Sequence, residues 1–178
     1  MLGWWGGPVI VWLNGTFGAG KTTTAGELVE LLAGARLFDA EEVGYLLRRI
    51  PNLPAVGNFQ HWPPWRGLVV ETARQVLDYV GGTLVIPQTV LVRRYWVEIR
   101  DGLAAADIPT RHFLLHADRE TLVHRIERDT PGNRRWRLDH LRDYRVALSW
   151  LREDAEVVDT TDVTPRDVAR AIAARVAA

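Results

Sequence analysis

The sequence contains no cysteine, no excess of charge of either sign and no apolar run of membrane-spanning length. Without cysteine there are no disulfides and no thiolate metal sites, and a reducing cytoplasm is the simplest location. The 22 Lys and Arg residues balance the 22 Asp and Glu residues, so the overall charge predicts neither a nucleic-acid partner nor an anionic membrane surface. The first apolar run, PVIVWL, is far too short to cross a bilayer, and no membrane insertion is expected. Any binding of an anion must therefore be local.

Strand and helix patterns alternate regularly along the 178 residues. Short apolar runs rich in β-branched residues are typical of strands buried on both faces of a parallel sheet, and helical spacings of apolar residues follow them. Strands are predicted over residues 9–13, 35–39, 83–87, 111–117 and 155–161. Helices are predicted over residues 21–32, 41–49, 65–79, 94–106, 119–128 and 138–151, with a last helix from Pro165. This order predicts a single α/β domain over residues 1–178, a three-layer sandwich with a five-stranded parallel sheet and helices on both faces.

Between the first predicted strand and helix lies the segment GTFGAGKT, which fits the phosphate-loop pattern G-x-x-x-x-G-K-[ST]. Glycines let backbone N–H groups turn inward around a polyphosphate, and the helix amino terminus adds partial positive charge. In this pattern Lys21 reaches the β- and γ-phosphates of ATP, and the Thr22 hydroxyl is the metal ligand for Mg²⁺. A chance glycine-rich turn is the alternative, which the flanking strand and helix disfavour. The predicted nucleotide-binding residues are Gly15, Thr16, Phe17, Gly18, Ala19, Gly20, Lys21, Thr22 and Thr23, together with Arg125 and Thr161.

Asp39 ends the second predicted strand. Because the carboxyl ends of parallel strands meet at one edge of a sheet, Asp39 is expected close to the phosphate loop. A carboxylate there can accept the proton of a substrate hydroxyl that attacks the γ-phosphate, the role of a general base. Asp39 can also cap the helix that follows, and the two roles are compatible.

An arginine-rich run, RIERDTPGNRRWR, separates two predicted helices with a Pro-Gly break. Guanidinium groups on a mobile loop can close over a transferring phosphoryl group and exclude water, so a small arginine-rich lid is predicted over residues 129–137. At least one of Arg128, Arg134 and Arg135 is expected to act there, with Arg128 and Arg134 as the catalytic candidates beside Lys21. A solvated surface turn is the alternative.

Residues 51–66 form a proline- and aromatic-rich segment that we predict to be the acceptor-binding insert. Aromatic faces can stack on a planar base or cover a sugar or lipid, and the stiff prolines hold them in place. Core packing is the alternative, and for Trp65, at a helix start, it explains the residue at least as well. The predicted acceptor-binding residues are Asp39, Phe59, His61, Trp62, Trp65, Arg66 and Gln88.

Two histidines, His112 and His116, fall on one face of the fourth predicted strand. Without a nearby pattern of Asp, Glu or Cys they are interpreted as packing residues rather than as a metal pair.

Several blocks of the sequence resemble the tunicamycin-resistance proteins, small P-loop proteins of the nucleoside and nucleotide kinase group. The blocks are WLNGTFGAGKTTTAGELVELL, FDAEEVGYLLR, FQHWPPWRGLVVET and VVDTTDVTP, and the resemblance runs from about Val9 to the last helix. It implies a P-loop kinase-like fold, ATP binding, a cytoplasmic location and resistance to a uridine-containing antibiotic or a related nucleoside. The layout is more distantly similar to chloramphenicol phosphotransferase and shikimate kinase, in which an aspartate after the second strand acts near the acceptor hydroxyl. Asp39 stands at the matching position.

The third strand departs from this pattern. Many P-loop kinases carry an acidic residue at its end to hold Mg²⁺ through water, whereas here Pro87 and Gln88 follow the apolar run. Either Asp39 serves the metal as well as the substrate, or Thr22 and phosphate hold it.

These features predict an ATP- and Mg²⁺-dependent phosphotransferase that acts on a hydroxyl of a small molecule, a nucleoside-type antibiotic, as a monomer or homodimer. A housekeeping kinase of a nucleoside, sugar or cofactor is one alternative, and an ATP-binding protein that sequesters the drug without phosphorylating it is another. A motor or GTP switch is disfavoured, because the third strand lacks the acidic residue and no N-K-x-D-like guanine motif is present.

Overall fold

The fold is taken from a computed structural model that describes residues 7–129 and 133–177. Its strands are β1 (Val9–Asn14), β2 (Arg36–Leu37), β3 (Thr83–Pro87), β4 (Thr110–His116) and β5 (Glu156–Asp159). Its α-helices are α1 (Lys21–Leu31), α2 (Glu41–Arg48), α3 (Pro63–Val80), α4 (Arg93–Ala105), α5 (Arg119–Arg128), α6 (Arg134–Asp154) and α7 (Pro165–Ala177). One 3₁₀ turn, Phe59–His61, precedes α3.

All five strands are parallel, in the order β2-β3-β1-β4-β5, which confirms the predicted α/β sheet. In the central strand, Val11 pairs with Val85 of β3 and with Arg111 of β4. Residues 10–13 are completely buried, because helices cover both faces of the sheet. A strand in this position favours a nearly continuous apolar run. α1 packs with α7, and α3 packs with α4, as the two outer layers. The carboxyl ends of β1 and β3 lie side by side, which is where open parallel sheets bind ligands.

The predicted starts of two helices need correction. α6 begins at Arg134, a turn before the predicted start at Leu138. Arginine and tryptophan are compatible with a helix, and the first turn is also held by contacts with Phe17 of the phosphate loop and with Asp129. The last residues of the predicted lid, 134–137, are thus helical, and its residues 130–132 lie outside the described residues. α3 begins at Pro63 instead of Trp65, because prolines suit the first helical turn, where no intrahelical N–H bond is needed.

Candidate active site

A cavity of about 1170 Å³ opens where the carboxyl ends of β1 and β3 meet the amino terminus of α1. Five parts of the chain line it: the phosphate loop with the start of α1, helix α2, the segment 57–60, residues 87–89 at the end of β3, and residues of the segments 124–129 and 133–140. Pockets for one drug-sized ligand usually measure about 300–1,000 Å³. This cavity is therefore large enough for a nucleotide and a second small molecule together.

The phosphate loop has the backbone geometry that its glycines permit. Gly15 has a φ of 141°, and a Cβ there would lie 2.5 Å from the carbonyl oxygen of Leu115. Gly20 has a φ of 89° and immediately precedes α1. The Lys21 Nζ donates a hydrogen bond to the carbonyl oxygen of Thr16 at 2.9 Å. The lysine thus folds back over its own loop, as a phosphate-binding lysine must.

Burial lowers the pKa of the Lys21 ammonium to about 8, and the nearby Glu41 carboxylate opposes this shift. The ammonium is consequently charged at neutral pH. Without a bound anion it loses its proton a few pH units earlier than an exposed lysine, which has a pKa near 10.4. A polyphosphate placed beside it would restore the preference for the charged form.

The two carboxylates at the start of α2 have different positions. The Asp39 Oδ1 accepts a hydrogen bond from the backbone N–H of Glu41 at 2.9 Å, so the Asp39 side chain caps α2. Asp39 is not among the residues that line the cavity, whereas Glu41 is. Burial and then the Asp39 carboxylate raise the pKa of Glu41, while Lys21 and Arg48 lower it. Glu41 was not among the residues predicted from the sequence, although its position two residues after Asp39 was a usable signal.

Opposite the phosphate loop, an aromatic wall is built by Tyr45, Arg48 and Phe59. The Arg48 guanidinium lies 5.8 Å from the ring centre of Tyr45 and 6.0 Å from that of Phe59. Phe59 packs directly on Gly44 of α2, where a Cβ would lie 2.7 Å from the Phe59 Cγ. Of the predicted acceptor-binding residues, Phe59 and Gln88 line the cavity.

The other aromatic residues of the predicted acceptor insert do not reach the cavity. Trp65 is fully buried, and its Nε1 donates to the carbonyl oxygen of Ala40 at 3.0 Å. Trp62 is also buried, with its Nε1 on the carbonyl oxygen of Pro54 at 2.8 Å. Both residues therefore belong to the core, the alternative that the sequence left open.

Arg66 and His61 also lie outside the cavity lining. The buried Arg66 guanidinium binds Glu98 and the Gln60 carbonyl oxygen, and its Cζ lies 4.2 Å from the ring centre of Tyr95. His61 is exposed and contacts the same tyrosine. Arg66 thus holds the segment 57–60 through the Gln60 carbonyl oxygen, and neither residue lines the cavity.

Two buried side-chain oxygens beside the phosphate loop have no hydrogen-bond partner within the described part of the chain: the Thr16 Oγ1 and the Gln88 Oε1. Gln88 is only 4% exposed and lines the cavity, with its Nε2 donating to the Thr89 carbonyl oxygen at 3.1 Å. Buried acceptors without a partner are rare because they cost free energy. The Gln88 oxygen is therefore suited to accept a hydrogen bond from a ligand or from an ordered water.

Arg125 joins the phosphate loop to the loop after β5. Its guanidinium donates to the carbonyl oxygens of Gly18 at 3.2 Å, Thr160 at 2.6 Å and Thr161 at 3.0 Å. Arg125 lines the cavity, and its partner loop contains the predicted nucleotide contact Thr161. One side chain thus joins the phosphate loop to the loop after β5 at the edge of the cavity.

The first turns of α6 cover the tip of the phosphate loop. The Phe17 ring lies 5.1 Å from that of Trp136 and 5.6 Å from that of His140, measured between ring centres. Arg137 binds the Asp129 carboxylate, and its Cζ lies 5.7 Å from the Phe17 ring centre. Trp136, Arg137 and His140 all line the cavity. The predicted lid included the first two, but none of the three was singled out as a site residue. The available signal was the position of Trp136 and Arg137 four and three residues before His140, the spacing of one helix face.

The predicted lid arginines divide into two groups. Arg128 lines the cavity, and its Nη1 lies 3.4 Å from the His124 Nε2. Arg134 and Arg135 are exposed on the first turn of α6 and are not among the lining residues.

The donors around the phosphate loop fit Mg²⁺ bound together with a nucleotide. Thr22, whose side chain carries a hydroxyl group, lines the cavity, and the Gln88 oxygen has no hydrogen-bond partner among the described residues. No group of three His, Cys, Asp or Glu residues that could hold a metal occurs in residues 7–129 and 133–177. Mg²⁺ keeps several waters and takes much of its coordination from substrate phosphates, so a protein cage is not required.

In the same two described ranges, no helix combines the length and the apolar character needed to cross a membrane.

Comparison with protein families gives one match: the family model described as an AAA domain covers residues 10–140. Among curated proteins the sequence finds no match.

Several solved structures share the fold. The tunicamycin resistance protein of Deinococcus radiodurans is 28% identical, with 94% of this chain and 95% of that chain covered and a TM-score of 0.71. A sugar kinase from Janibacter sp. HTCC2649 is 19% identical, with 93% and 92% covered and a TM-score of 0.66. Shikimate kinase from Acinetobacter baumannii, in complex with shikimate, is 18% identical, with 95% and 93% covered and a TM-score of 0.59. The fold of the P-loop kinases and the resemblance to tunicamycin-resistance proteins are thereby confirmed.

Proposed function

Since this chain belongs to the AAA domain family, we propose that it is an ATP- and Mg²⁺-dependent kinase that transfers the γ-phosphoryl group to a hydroxyl of a small molecule. One observation carries the proposal: a single cavity holds Lys21 of the phosphate loop, the Glu41 carboxyl group and the Phe59 side of an aromatic wall. These are the parts that phosphoryl transfer requires, since its catalysis consists mainly of positioning and electrostatic stabilisation.

The nucleotide occupies the phosphate-loop side of the cavity. Backbone N–H groups of residues 15–22 and the Lys21 ammonium bind the phosphates, and the adenine stacks against the Arg125 guanidinium beside the Thr161 loop. Thr22 would hold Mg²⁺ together with the nucleotide phosphates, and the Gln88 oxygen would accept a hydrogen bond on that side of the cavity. When bound, Mg²⁺ neutralises charge on the β- and γ-phosphates.

The acceptor hydroxyl gives its proton to a carboxylate at the start of α2. Asp39 is the base that the sequence predicts, and Glu41 is the carboxylate that lines the cavity. Its raised pKa brings Glu41 closer to the pH of the reaction, which favours proton transfer. We therefore propose that Glu41 is the general base that accepts this proton, and that Asp39 stabilises the first turn of α2.

Arginines at the end of α5 and the start of α6 stabilise the transferring phosphoryl group. Arg128 is the predicted residue that lines the cavity, and Arg137 lies beside the phosphate-loop tip. Trp136 and His140 limit the access of water on that side, which strengthens electrostatic interactions within the cavity.

The acceptor is a nucleoside-type antibiotic such as tunicamycin. The 28% identity to the Deinococcus radiodurans tunicamycin resistance protein supports this assignment. The wall of Tyr45, Arg48 and Phe59 supports it as well, because aromatic faces and a guanidinium group can stack on a planar base. Wild-type protein and the Lys21→Met variant should be incubated with ATP, Mg²⁺ and tunicamycin and analysed by mass spectrometry. A drug heavier by one phosphate with wild type alone is the expected result.

Sequestration of the drug is a second candidate function, favoured by Gln88 in place of an acidic residue after β3. Tight drug binding with an unchanged drug mass would establish it and refute transfer. A panel of ordinary nucleosides, sugars and cofactors tests the housekeeping alternative. Phosphorylation of one of these compounds, together with no reaction or binding of the drug, would refute the resistance function but not the kinase activity.

A further inference from the structure

Behind the phosphate loop, buried and half-buried polar side chains form a continuous chain from β1 to α6. The His112 Nδ1 lies 2.9 Å from the Asp154 Oδ1, and the His112 Nε2 lies 3.3 Å from the Asn14 Nδ2. Asn14 is completely buried and His112 is 8% exposed. Asn14 is the last residue of β1 and directly precedes Gly15, the first glycine of the phosphate loop.

The hydrogen bonds of Asn14 determine which nitrogen of the neutral His112 ring is unprotonated. The Asn14 Oδ1 accepts from the backbone N–H groups of Gly15 at 2.8 Å and Val90 at 2.9 Å. The carboxamide orientation is therefore set, and its Nδ2 is a donor toward His112. An Nε2 that faces a donor must be the unprotonated nitrogen of a neutral imidazole. The proton of this neutral ring then lies on Nδ1 and is donated to Asp154.

The Asn14 carboxamide joins two loops that border the proposed phosphate site. Besides the Gly15 N–H, it binds both backbone groups of Val90, since its Nδ2 donates to the Val90 carbonyl oxygen at 3.0 Å. In the same loop, the Thr89 Oγ1 donates to the Gly15 carbonyl oxygen at 2.6 Å. A change in the Asn14 orientation would therefore move Gly15 and the loop after β3 together.

We propose that His112 is a positioning residue for the phosphate loop: its neutral Nε2 holds the Asn14 carboxamide, and protonation of Nε2 releases it. A second N–H at this nitrogen would face the Asn14 NH₂ group, donor against donor. The carboxamide then has to rotate or move, and the Gly15 N–H and the Val90 loop lose their shared acceptor. The inference rests on the proposed nucleotide site for its consequence, because the loop that it positions is the one that binds phosphate.

The charged groups that face His112 oppose one another. Asp154, on α6, favours the protonated imidazole, and Arg100, on α4, disfavours it. Arg100 itself binds Asp154 at 3.1 Å and Asp101 at 2.9 Å. From β1 the neutral Asn14 approaches the ring, and from α4 the Trp96 ring lies with its centre 3.9 Å away. Burial is the largest effect on the pKa of His112 and lowers it.

NMR spectroscopy of the ligand-free protein tests the coupling without any nucleotide. In wild type, we expect the amide resonances of Gly15 and Val90 to shift with the same midpoint as the His112 imidazole as the pH falls from 7.5 to 5. The His112→Gln variant keeps an acceptor near the Nε2 position and does not titrate, so its Gly15 and Val90 resonances should stay constant in this range. His116→Gln is the matched control on the same strand, because His116 binds Tyr144 and not Asn14. It should keep the wild-type shifts.

A second variant guards against misfolding of His112→Gln. Asp154→Asn removes the carboxylate that favours the charged imidazole, so the Gly15 shift should move to lower pH. If the His112 imidazole titrates while Gly15 and Val90 remain constant, or if all variants titrate alike, the inference is overturned.

Nucleotide affinity gives the functional readout. Between pH 7.5 and 5, calorimetry with a non-hydrolysable ATP analogue should show that wild type loses about tenfold more affinity than His112→Gln, the equivalent of one ordinary hydrogen bond. Equal losses would overturn the positioning role. Absence of analogue binding at every pH in both proteins would refute the proposed function, and the NMR titration would still decide the inference.

Discussion

A hydrogen bond joins Asp39 and Glu41 at the start of α2, where the Asp39 Oδ1 accepts the Glu41 backbone N–H at 2.9 Å. The Glu41 side chain lines the cavity that also contains Lys21, and Asp39 does not. Two carboxylates that are neighbours in sequence therefore have separate surroundings, one capping a helix and the other facing a ligand site.

Conservative amide substitutions separate the roles of these carboxylates. Glu41→Gln should lower kcat by roughly 10²–10⁴, the usual contribution of a general base, while the affinity for ATP analogues changes little. Asp39→Asn should cost much less, because the Asn oxygen can still accept the Glu41 N–H. Steady-state kinetics on both variants checks the assignment. An equal or larger loss of kcat in Asp39→Asn would restore Asp39 as the base.

The lowered pKa of Lys21 predicts proton uptake on nucleotide binding. At pH 8.5 much of the free protein has a neutral Lys21, since its pKa is about 8, and the bound phosphates favour the ammonium. Calorimetry in two buffers of different ionisation enthalpy should show net uptake at pH 8.5. Lys21→Arg, which stays protonated at this pH, should show none. Uptake of the same size in this variant would assign the proton to another group.

The same pKa has a consequence for stability. Between pH 8 and 10.5 the unfolded chain keeps a proton on Lys21 that the folded protein has released, so this group raises the free energy of unfolding as the pH increases through that range. Relative to Lys21→Met, wild type should therefore gain stability in urea denaturation over this interval.

Gly44 lets Phe59 form the cavity wall. A Cβ at position 44 would lie 2.7 Å from the Phe59 Cγ, so Gly44→Ala must displace the ring. We expect weaker binding of the acceptor and little change in nucleotide affinity. Gly26→Ala is the matched control, since a Cβ there has nothing within 4 Å, and it should stabilise α1 by up to about 1 kcal/mol. Calorimetry with each ligand checks both variants, and unchanged acceptor binding in Gly44→Ala would exclude Phe59 from the acceptor site.

The protein should lose stability at acidic pH values that are still above the range in which most carboxylates titrate. Burial lowers the pKa values of His112 and His116, so below about pH 6.5 the unfolded chain binds protons that the folded protein does not. The free energy of unfolding should fall from pH 7 toward pH 5. In urea denaturation, His112→Gln should show a smaller fall than wild type. An equal fall would place the acid sensitivity elsewhere.

The lid arginines differ in their access to the cavity. Arg128→Ala should lower kcat, because Arg128 lines the cavity, and Arg134→Ala should lower it much less, because Arg134 is exposed outside it. Single-turnover kinetics of the two variants makes the comparison. A larger loss with Arg134→Ala would show that the start of α6 rearranges during the reaction.

Local patterns in the chain were enough for the sheet, its helices and the phosphate loop. Buried parallel strands require nearly continuous apolar runs, and GTFGAGKT carries its glycines and lysine at a spacing that few other structures need. The start of α6 at Arg134 was not predictable in this way, because it depends on tertiary contacts. Phe17 of the phosphate loop is distant in sequence, and Asp129 lies at the end of the preceding helix.

Tertiary packing alone decided which polar and aromatic residues face the ligand site. Trp62, Trp65 and Arg66 had the composition of a binding surface, but their polar atoms are satisfied by backbone carbonyls and a carboxylate in the protein. His112 was interpreted from the sequence as a packing residue. Its proposed role depends on Asn14 at the end of β1 and on Asp154 at the end of α6, which contact its two ring nitrogens. A sequence pattern specifies which face of an element a residue occupies, whereas the partner on that face is known only once the elements have packed.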